Sequence, residues 1–76
     1  MVTAYILIEM VAGHSRDLVS ALNQAASVRE VSRVTGPFDV IAVIQSEDLN
    51  AISDVVSSEV HTLPGVVRTT TCIRLE

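Results

Sequence analysis

The amino-acid sequence predicts an α+β sandwich whose elements follow the order β-α-β-β-α-β. Three observations lead to this prediction: four segments rich in β-branched residues, two segments with apolar residues at helical spacing, and glycine or proline in three of the five connections between them. Because the chain has only 76 residues, we expect all six elements to belong to one domain, residues 1–76.

The first strand and the first helix are predicted before residue 26. Val2–Val11 is rich in aliphatic residues, is apolar on both faces and ends before Gly13. A strand of this kind is normally covered on both faces. Ser15 is expected to cap a helix of about three turns. The apolar stripe of this helix consists of Leu18, Ala21, Leu22 and Ala25.

The middle of the chain predicts two further strands joined by a tight turn. Val28–Thr35 has valines spaced by three residues, which favours an edge strand with a bulge. Gly36–Asp39 forms the turn. Val40–Ile44 is a run of five apolar residues, which is typical of a central strand.

A second helix and a fourth strand complete the pattern. Ser46 is expected to cap the helix, with Glu47–Asp48 in its first turn. Pro64–Gly65 ends it, and Val66–Leu75 is the last strand. The apolar stripe of the helix is Leu49, Ile52, Val56 and Val60, which Leu63 extends. Two interleaved βαβ units give the ferredoxin-like fold, a four-stranded antiparallel sheet with both helices on one face.

The composition predicts self-association. Apolar residues make up 49% of the chain and charged residues 18%, a high apolar share for so small a domain. The helices cover one face of the sheet, so the second apolar face of the first and third strands is left open. We expect that face to pack against a second copy, because an exposed apolar patch favours aggregation.

Charge and cysteine content exclude several classes of function. The net charge is −4 and the five basic residues, all arginine, are scattered, so direct nucleic-acid binding is not expected. No apolar run is long enough to span a membrane, and no signal peptide is recognisable. With the lone thiol of Cys72, this predicts a cytoplasmic protein. His14 and His61 show no zinc-site spacing, and no metal, cofactor or catalytic residue is predicted.

The conspicuous side chains have structural interpretations beside the functional ones. Cys72 is expected to be a small buried hydrophobe in the middle of a strand. The two histidines flank helix ends, where surface or capping roles are common. The turn Thr35–Asp39 either is a simple connection or binds a zwitterion. In the second case backbone N–H groups near Gly36 meet a carboxylate, Phe38 packs beside it and Asp39 pairs with an ammonium.

Thr69 and Thr71 are further candidates for binding a ligand. They share one face of the last strand, so their hydroxyls can converge on one molecule. The structural alternative is that threonine simply favours strands and forms cross-strand hydroxyl pairs.

Three segments resemble motifs of a known family. They are AYILI at residues 4–8, VTGPFDVI at 34–41 and LPGVVRTTT at 63–71. The last two are similar to the patterns V-T-G-x-[YF]-D and L-P-G-V-x-R-T-x-T. In this order they resemble the effector-binding (RAM) domain of the Lrp/AsnC, or feast/famine, transcription regulators over essentially the whole chain.

The resemblance implies a non-enzymatic amino-acid sensor. Members of the family dimerise through their sheets, the dimers form rings that are commonly octamers, and amino acids bind between dimers near the G-x-[YF]-D turn. On this basis the ligand-binding candidates are Gly36, Phe38, Asp39, Thr69 and Thr71. The family's N-terminal helix-turn-helix domain is not part of the match, which predicts a stand-alone module acting with full-length regulators.

Two other functions share the predicted fold. Small dimeric ferredoxin-like proteins include cofactor-independent monooxygenases and haem-degrading proteins, against which the lack of tryptophan argues. A detached ACT-like regulatory domain has the same topology and ligand class. Its glycine-centred site usually follows the first strand, so such a domain would bind its ligand near Gly13.

Overall fold

A computed structural model describes all 76 residues and has the predicted order of elements. The strands are β1 (Val2–Met10), β2 (Val28–Arg33), β3 (Val40–Ser46) and β4 (Val66–Ile73). The helices are α1 (Ser15–Asn23) and α2 (Leu49–Val55), and α2 continues into a π-helical segment, Val56–Val60. The strands form one antiparallel sheet in the order β2-β3-β1-β4, which confirms the ferredoxin-like fold.

The core lies between the helices and one face of the sheet. Alternate residues of the two central strands, β1 and β3, point into it, as expected for a period of two. The sheet contributes Ala4, Ile6, Ile8, Met10, Val40, Ala42 and Ile44. The helical layer contributes Leu18, Leu22, Ile52, Val56 and Val60. No helix has the length and apolar character that crossing a membrane requires.

Both predicted helix caps are wrong. His14 occupies the N-cap position of α1, so Ser15 is already helical, and no side chain caps this helix. β3 extends through Ser46, whose backbone is still paired with β1. Asp48 therefore caps α2, and its Oδ1 accepts a hydrogen bond of 2.8 Å from the N–H of Ala51.

The ends of several elements also differ from the prediction. β2 and β4 each end two residues early, at Arg33 and Ile73, and α1 ends at Asn23. The bulge predicted in β2 is present, because the register of β2 with β3 shifts between Val28 and Glu30. These differences leave the topology unchanged.

The second face of the sheet has no helix on it. We call it the open face; its apolar centre consists of the half-buried side chains Tyr5, Leu7, Ile41 and Val43. Polar cross-strand pairs lie at both ends of this centre. At one end Arg68 Nη2 is 2.8 Å from Glu9 Oε1. At the other, Gln45 donates a hydrogen bond of 3.1 Å to the hydroxyl of Thr3.

Cys72 lies on the open face, opposite Tyr5 on β1. Its thiol is free and exposed, so the prediction of a buried cysteine is wrong within one chain. The reason is topological: β4 is an edge strand, and nothing in the chain covers this side of it.

Candidate functional site

The turn Thr35–Asp39 is held in place by hydrogen bonds of Asp39. The backbone N–H of Asp39 donates to the carbonyl of Ile8 at 2.9 Å, and its carbonyl accepts from the N–H of Val34 at 2.9 Å. The carboxylate Oδ2 accepts a hydrogen bond of 2.7 Å from the N–H of Met10. Asp39 therefore fixes the start of β3 against the end of β1.

The carboxylate of Asp39 replaces a missing strand partner. The ladder between β1 and β3 ends at the pair Ile8–Val40. Because backbone groups alternate in direction along a strand, the N–H of Met10 points towards β3 beyond its first residue. Met10 is buried, so leaving this N–H unpaired would cost roughly 1–3 kcal/mol. The other carboxylate oxygen, Oδ1, makes no hydrogen bond within the chain.

The tip of the turn exposes unpaired backbone donors. Gly36 is exposed and has a φ of +134°, a conformation in which side chains are strained. The N–H groups of Gly36 and Phe38 donate no hydrogen bond within the chain. The Phe38 ring is half-buried beside them. The turn thus offers two free N–H donors and one free carboxylate oxygen close together in the sequence.

Thr69 and Thr71 lie on the helix side of β4. They pair with Ile8 and Ile6, whose side chains are buried beneath the helices. α2 packs against β1 and β3 and leaves the outer part of β4 uncovered. Between α2 and β4 the structure therefore has an open gap of about 300 Å³, which we call the β4 groove.

The β4 groove combines an apolar floor with hydroxyl groups. Its apolar lining residues are Leu49, Ile52, Val56 and Ile73, and its polar ones are Ser53, Ser57, His61, Thr69 and Thr71. Neither an acidic residue nor an arginine is among them. The arrangement suits a small molecule with an apolar part.

His61 is a lining residue that the sequence did not indicate as part of a site. Its Nε2 lies 2.8 Å from the hydroxyl of Thr69. The π-helical segment brings it there: the N–H of His61 donates to the carbonyl of Val56, five residues earlier, at 2.9 Å. π-Turns of this kind occur frequently at functional sites.

Two side-chain hydroxyls, those of Ser58 and Thr62, form hydrogen bonds with backbone carbonyls in and beside the π-turn. Each donates to the carbonyl four residues earlier, Ser58 to Asp54 at 2.7 Å and Thr62 to Ser58 at 2.8 Å. Side-chain hydroxyls of this kind compete with the regular backbone ladder. The π-turn cannot be predicted from the spacing of the apolar residues, because Val56 and Val60 are spaced as in an α-helix.

The glycine of the LPG segment is required by packing. Gly65 has a φ of +88°, and a Cβ at this position would lie 2.6 Å from the Cβ and Cγ of His14. Its carbonyl accepts a hydrogen bond of 2.8 Å from the N–H of Val11. This part of the motif therefore holds the start of β4 against the end of β1.

The turn and the β4 groove lie near the same end of the sheet but remain separate in one chain. Asp39 and Thr69 flank Ile8 on its two sides, so their backbones are two strand spacings, about 10 Å, apart. Thr69, Thr71 and His61 line the same groove, whereas Phe38 and Asp39 lie together in the turn. No residue of the turn lines the groove.

Comparison with known proteins decides the family. Residues 3–76 match the family model described as the Lrp/AsnC ligand binding domain. The chain belongs to this family. This Lrp/AsnC domain is also 37% identical over 76 residues to the HTH-type transcriptional regulator FL11 of Pyrococcus abyssi. That match covers 96% of the chain and 48% of FL11, so the chain spans about half the length of this curated relative.

Solved structures similar to this Lrp/AsnC domain share its fold. TTHA0845 of Thermus thermophilus is 34% identical with a TM-score of 0.94, and the match covers 100% of this chain and 95% of that one. AsnC of E. coli is 21% identical with a TM-score of 0.91, covering 99% and 51%. The regulator NMB0573 of Neisseria meningitidis, solved as an L-Met complex, is 21% identical with a TM-score of 0.87, covering 99% and 50%.

Proposed function

We propose that this domain is an oligomeric amino-acid sensor that modulates transcription regulators without itself binding DNA. The observation that carries the proposal is the pair of free N–H groups at Gly36 and Phe38 beside the free carboxylate oxygen of Asp39. A zwitterionic amino acid presents the complementary groups, a carboxylate and an ammonium. The family match and the L-Met complex of the neighbour NMB0573 support the same ligand class.

The open face of the sheet supports a dimer as the basic unit. An apolar centre with polar pairs at its ends is the usual composition of a protein–protein interface. In the proposed assembly two open faces pack together, and the dimers form a ring, commonly an octamer in this family. The turn of one dimer then meets the β4 groove of the next, so that Gly36, Phe38 and Asp39 complete a site with Thr69 and Thr71.

Ligand binding would act on regulation through linkage. An amino acid bound between dimers stabilises the assembly that contains the complete site. Full-length Lrp/AsnC regulators are the proposed partners. The domain would affect them by forming mixed oligomers with their subunits or by competing with them for the effector. The proposal assigns the domain no catalytic role and places it in the cytoplasm, where the free thiol of Cys72 would stay reduced.

A thermal-shift panel of the twenty amino acids, read beside the native mass, tests the proposal. A ligand at about 100 times its dissociation constant adds roughly 2.7 kcal/mol of stability, a shift of several degrees for a domain of this size. We expect a selective shift and a mass above that of a dimer. A native mass above that of a dimer without any thermal shift would contradict the sensor function and would favour a role as a scaffold.

Two substitutions of Asp39 separate its structural role from its proposed ligand contact. Asp39→Asn keeps an oxygen that can accept from the N–H of Met10 but removes the charge, whereas Asp39→Ala removes both. We expect Asp39→Ala to lower the free energy of unfolding by about 1–3 kcal/mol and to abolish binding. Asp39→Asn should stay close to the parent in stability yet bind at least about tenfold more weakly. Unchanged affinity in Asp39→Asn would leave the carboxylate a purely structural role.

A further inference from the structure

The β4 groove differs from the other grooves of the surface in the charge of its lining. Each of the other four grooves is lined by at least one aspartate, glutamate or arginine, and the β4 groove by none. We infer that the β4 groove selects an amino-acid effector with an uncharged aliphatic side chain. The inference rests on the proposed function and adds the chemical class of the ligand.

The size and the lining of the groove suit one aliphatic side chain, while the ligand's carboxylate and ammonium meet the turn of the next dimer. A volume of about 300 Å³ is at the lower end of the range for small-molecule sites. Ile52 and Val56 are buried and form the floor. Leu49 and Ile73 remain 56% and 40% exposed at the mouth. An aliphatic ligand would cover these exposed side chains, and removing their surface from water favours binding.

A charged side chain would find no partner in the groove, because the Asp39 carboxylate of the next dimer pairs with the ligand's own ammonium. Moving a carboxylate, ammonium or guanidinium group out of water costs free energy unless an opposite charge compensates it. The only titratable side chain in the lining is His61, which is already hydrogen-bonded to Thr69. The serine hydroxyls of the lining, at Ser53 and Ser57, are exposed and lie at the rim.

The arginine next to Thr69 in the sequence lies on the other face of the sheet. Thr69 faces the β4 groove, and Arg68, the preceding residue of β4, faces the open face. Its guanidinium is 2.8 Å from Glu9 there, so Arg68 supplies no positive charge to the groove.

The test of this inference places a charge in the groove, with a matched control outside it. Ser53→Glu adds a carboxylate at the rim, and Ser20→Glu makes the same change at an exposed position of α1 that lines no groove. We measure the affinities of Val, Leu, Ile, Met, Asp, Glu, Lys and Arg by titration calorimetry. The parent should prefer the aliphatic ligands. Ser53→Glu should weaken their binding about tenfold and improve that of Lys and Arg, whereas Ser20→Glu should change affinity less than about twofold.

The possible outcomes separate the two proposals. If the parent bound acidic or basic amino acids best, or if Ser53→Glu behaved as Ser20→Glu does, the aliphatic selectivity would be wrong and the sensor function would stand. Binding of no amino acid by the parent would overturn both. A preference of the parent for aliphatic ligands that changes in Ser53→Glu and not in Ser20→Glu would support the inference.

Discussion

The two faces of the sheet are built from alternate residues of the same strands and differ in what covers them. Ala4, Ile6 and Ile8 are fully buried beneath the helices. Tyr5 and Leu7, which lie between them in the sequence, are apolar too but only half-buried. Sequence hydrophobicity is therefore similar on both faces, whereas burial within one chain is not.

The difference shows what so short a chain can cover by itself. The chain supplies one layer of helices, and small domains bury a smaller fraction of their surface than large ones. The apolar residues of the open face remain available for a second copy. We therefore expect substitutions on the helix-covered face to affect the stability of the single chain, and substitutions on the open face to affect association with a second copy.

The largest effect is expected from the helix-covered face. Ile6→Ala should lower the free energy of unfolding by about 2–5 kcal/mol, because it leaves a cavity in a well-packed core. Leu7→Ala, the neighbouring position on the open face, should cost only about 1 kcal/mol in dilute protein. Denaturant unfolding at several protein concentrations measures both. Should Ile6→Ala fail to fold, Ile6→Val provides a milder version, with an expected loss of about 0.5–1.5 kcal/mol.

The dependence of these stability losses on protein concentration shows whether the open face packs against a second copy. The cost of Leu7→Ala should grow with protein concentration, since the proposed dimer would bury that position further. Equal losses for the two alanine variants at every concentration would mean that the open face is already packed within one chain.

A charge on the open face should break the proposed dimer and leave the fold intact. Leu7→Glu would place two carboxylates in an apolar interface, and we expect the dissociation constant to rise at least about a hundredfold. Leu75→Glu is the matched control, because Leu75 is 95% exposed. Native mass and the concentration dependence of the melting temperature measure the effect. A Leu7→Glu variant that stayed dimeric would place the interface elsewhere.

The topology was predictable from the sequence because each strand and helix has the corresponding periodicity. The doubly apolar β1, the five-residue apolar run of β3 and the valine spacing of β2 predict two central strands and a bulged edge strand, all of which are present. The caps were not predictable, because Ser46 and Asp48 are both good capping residues. Which of them caps α2 depends on where the β3 ladder ends, and that is a tertiary contact.

The candidate site was predictable only in part, for a similar reason. The shared face of Thr69 and Thr71 follows from strand alternation and is confirmed by their register. The hydrogen bond from the N–H of Met10 to the Asp39 carboxylate forms because β1 extends two residues beyond its last pairing with β3, which the sequence does not show. The approach of His61 to Thr69 depends on the π-turn, which leaves no mark in the apolar pattern.

The smallest effect concerns Cys72, whose thiol reports on the open face without any substitution. The thiol is exposed in one chain, lies on the open face and would be covered when two such faces pack together. We expect its reaction with a small thiol reagent to slow as protein concentration rises, because the rate follows the monomer fraction. In Leu7→Glu the reaction should be fast at every concentration.

If the parent reacted equally fast at every concentration while its native mass was that of a dimer, the interface would not cover β4. Prediction of a buried cysteine would then be wrong for the dimer as well as for the single chain.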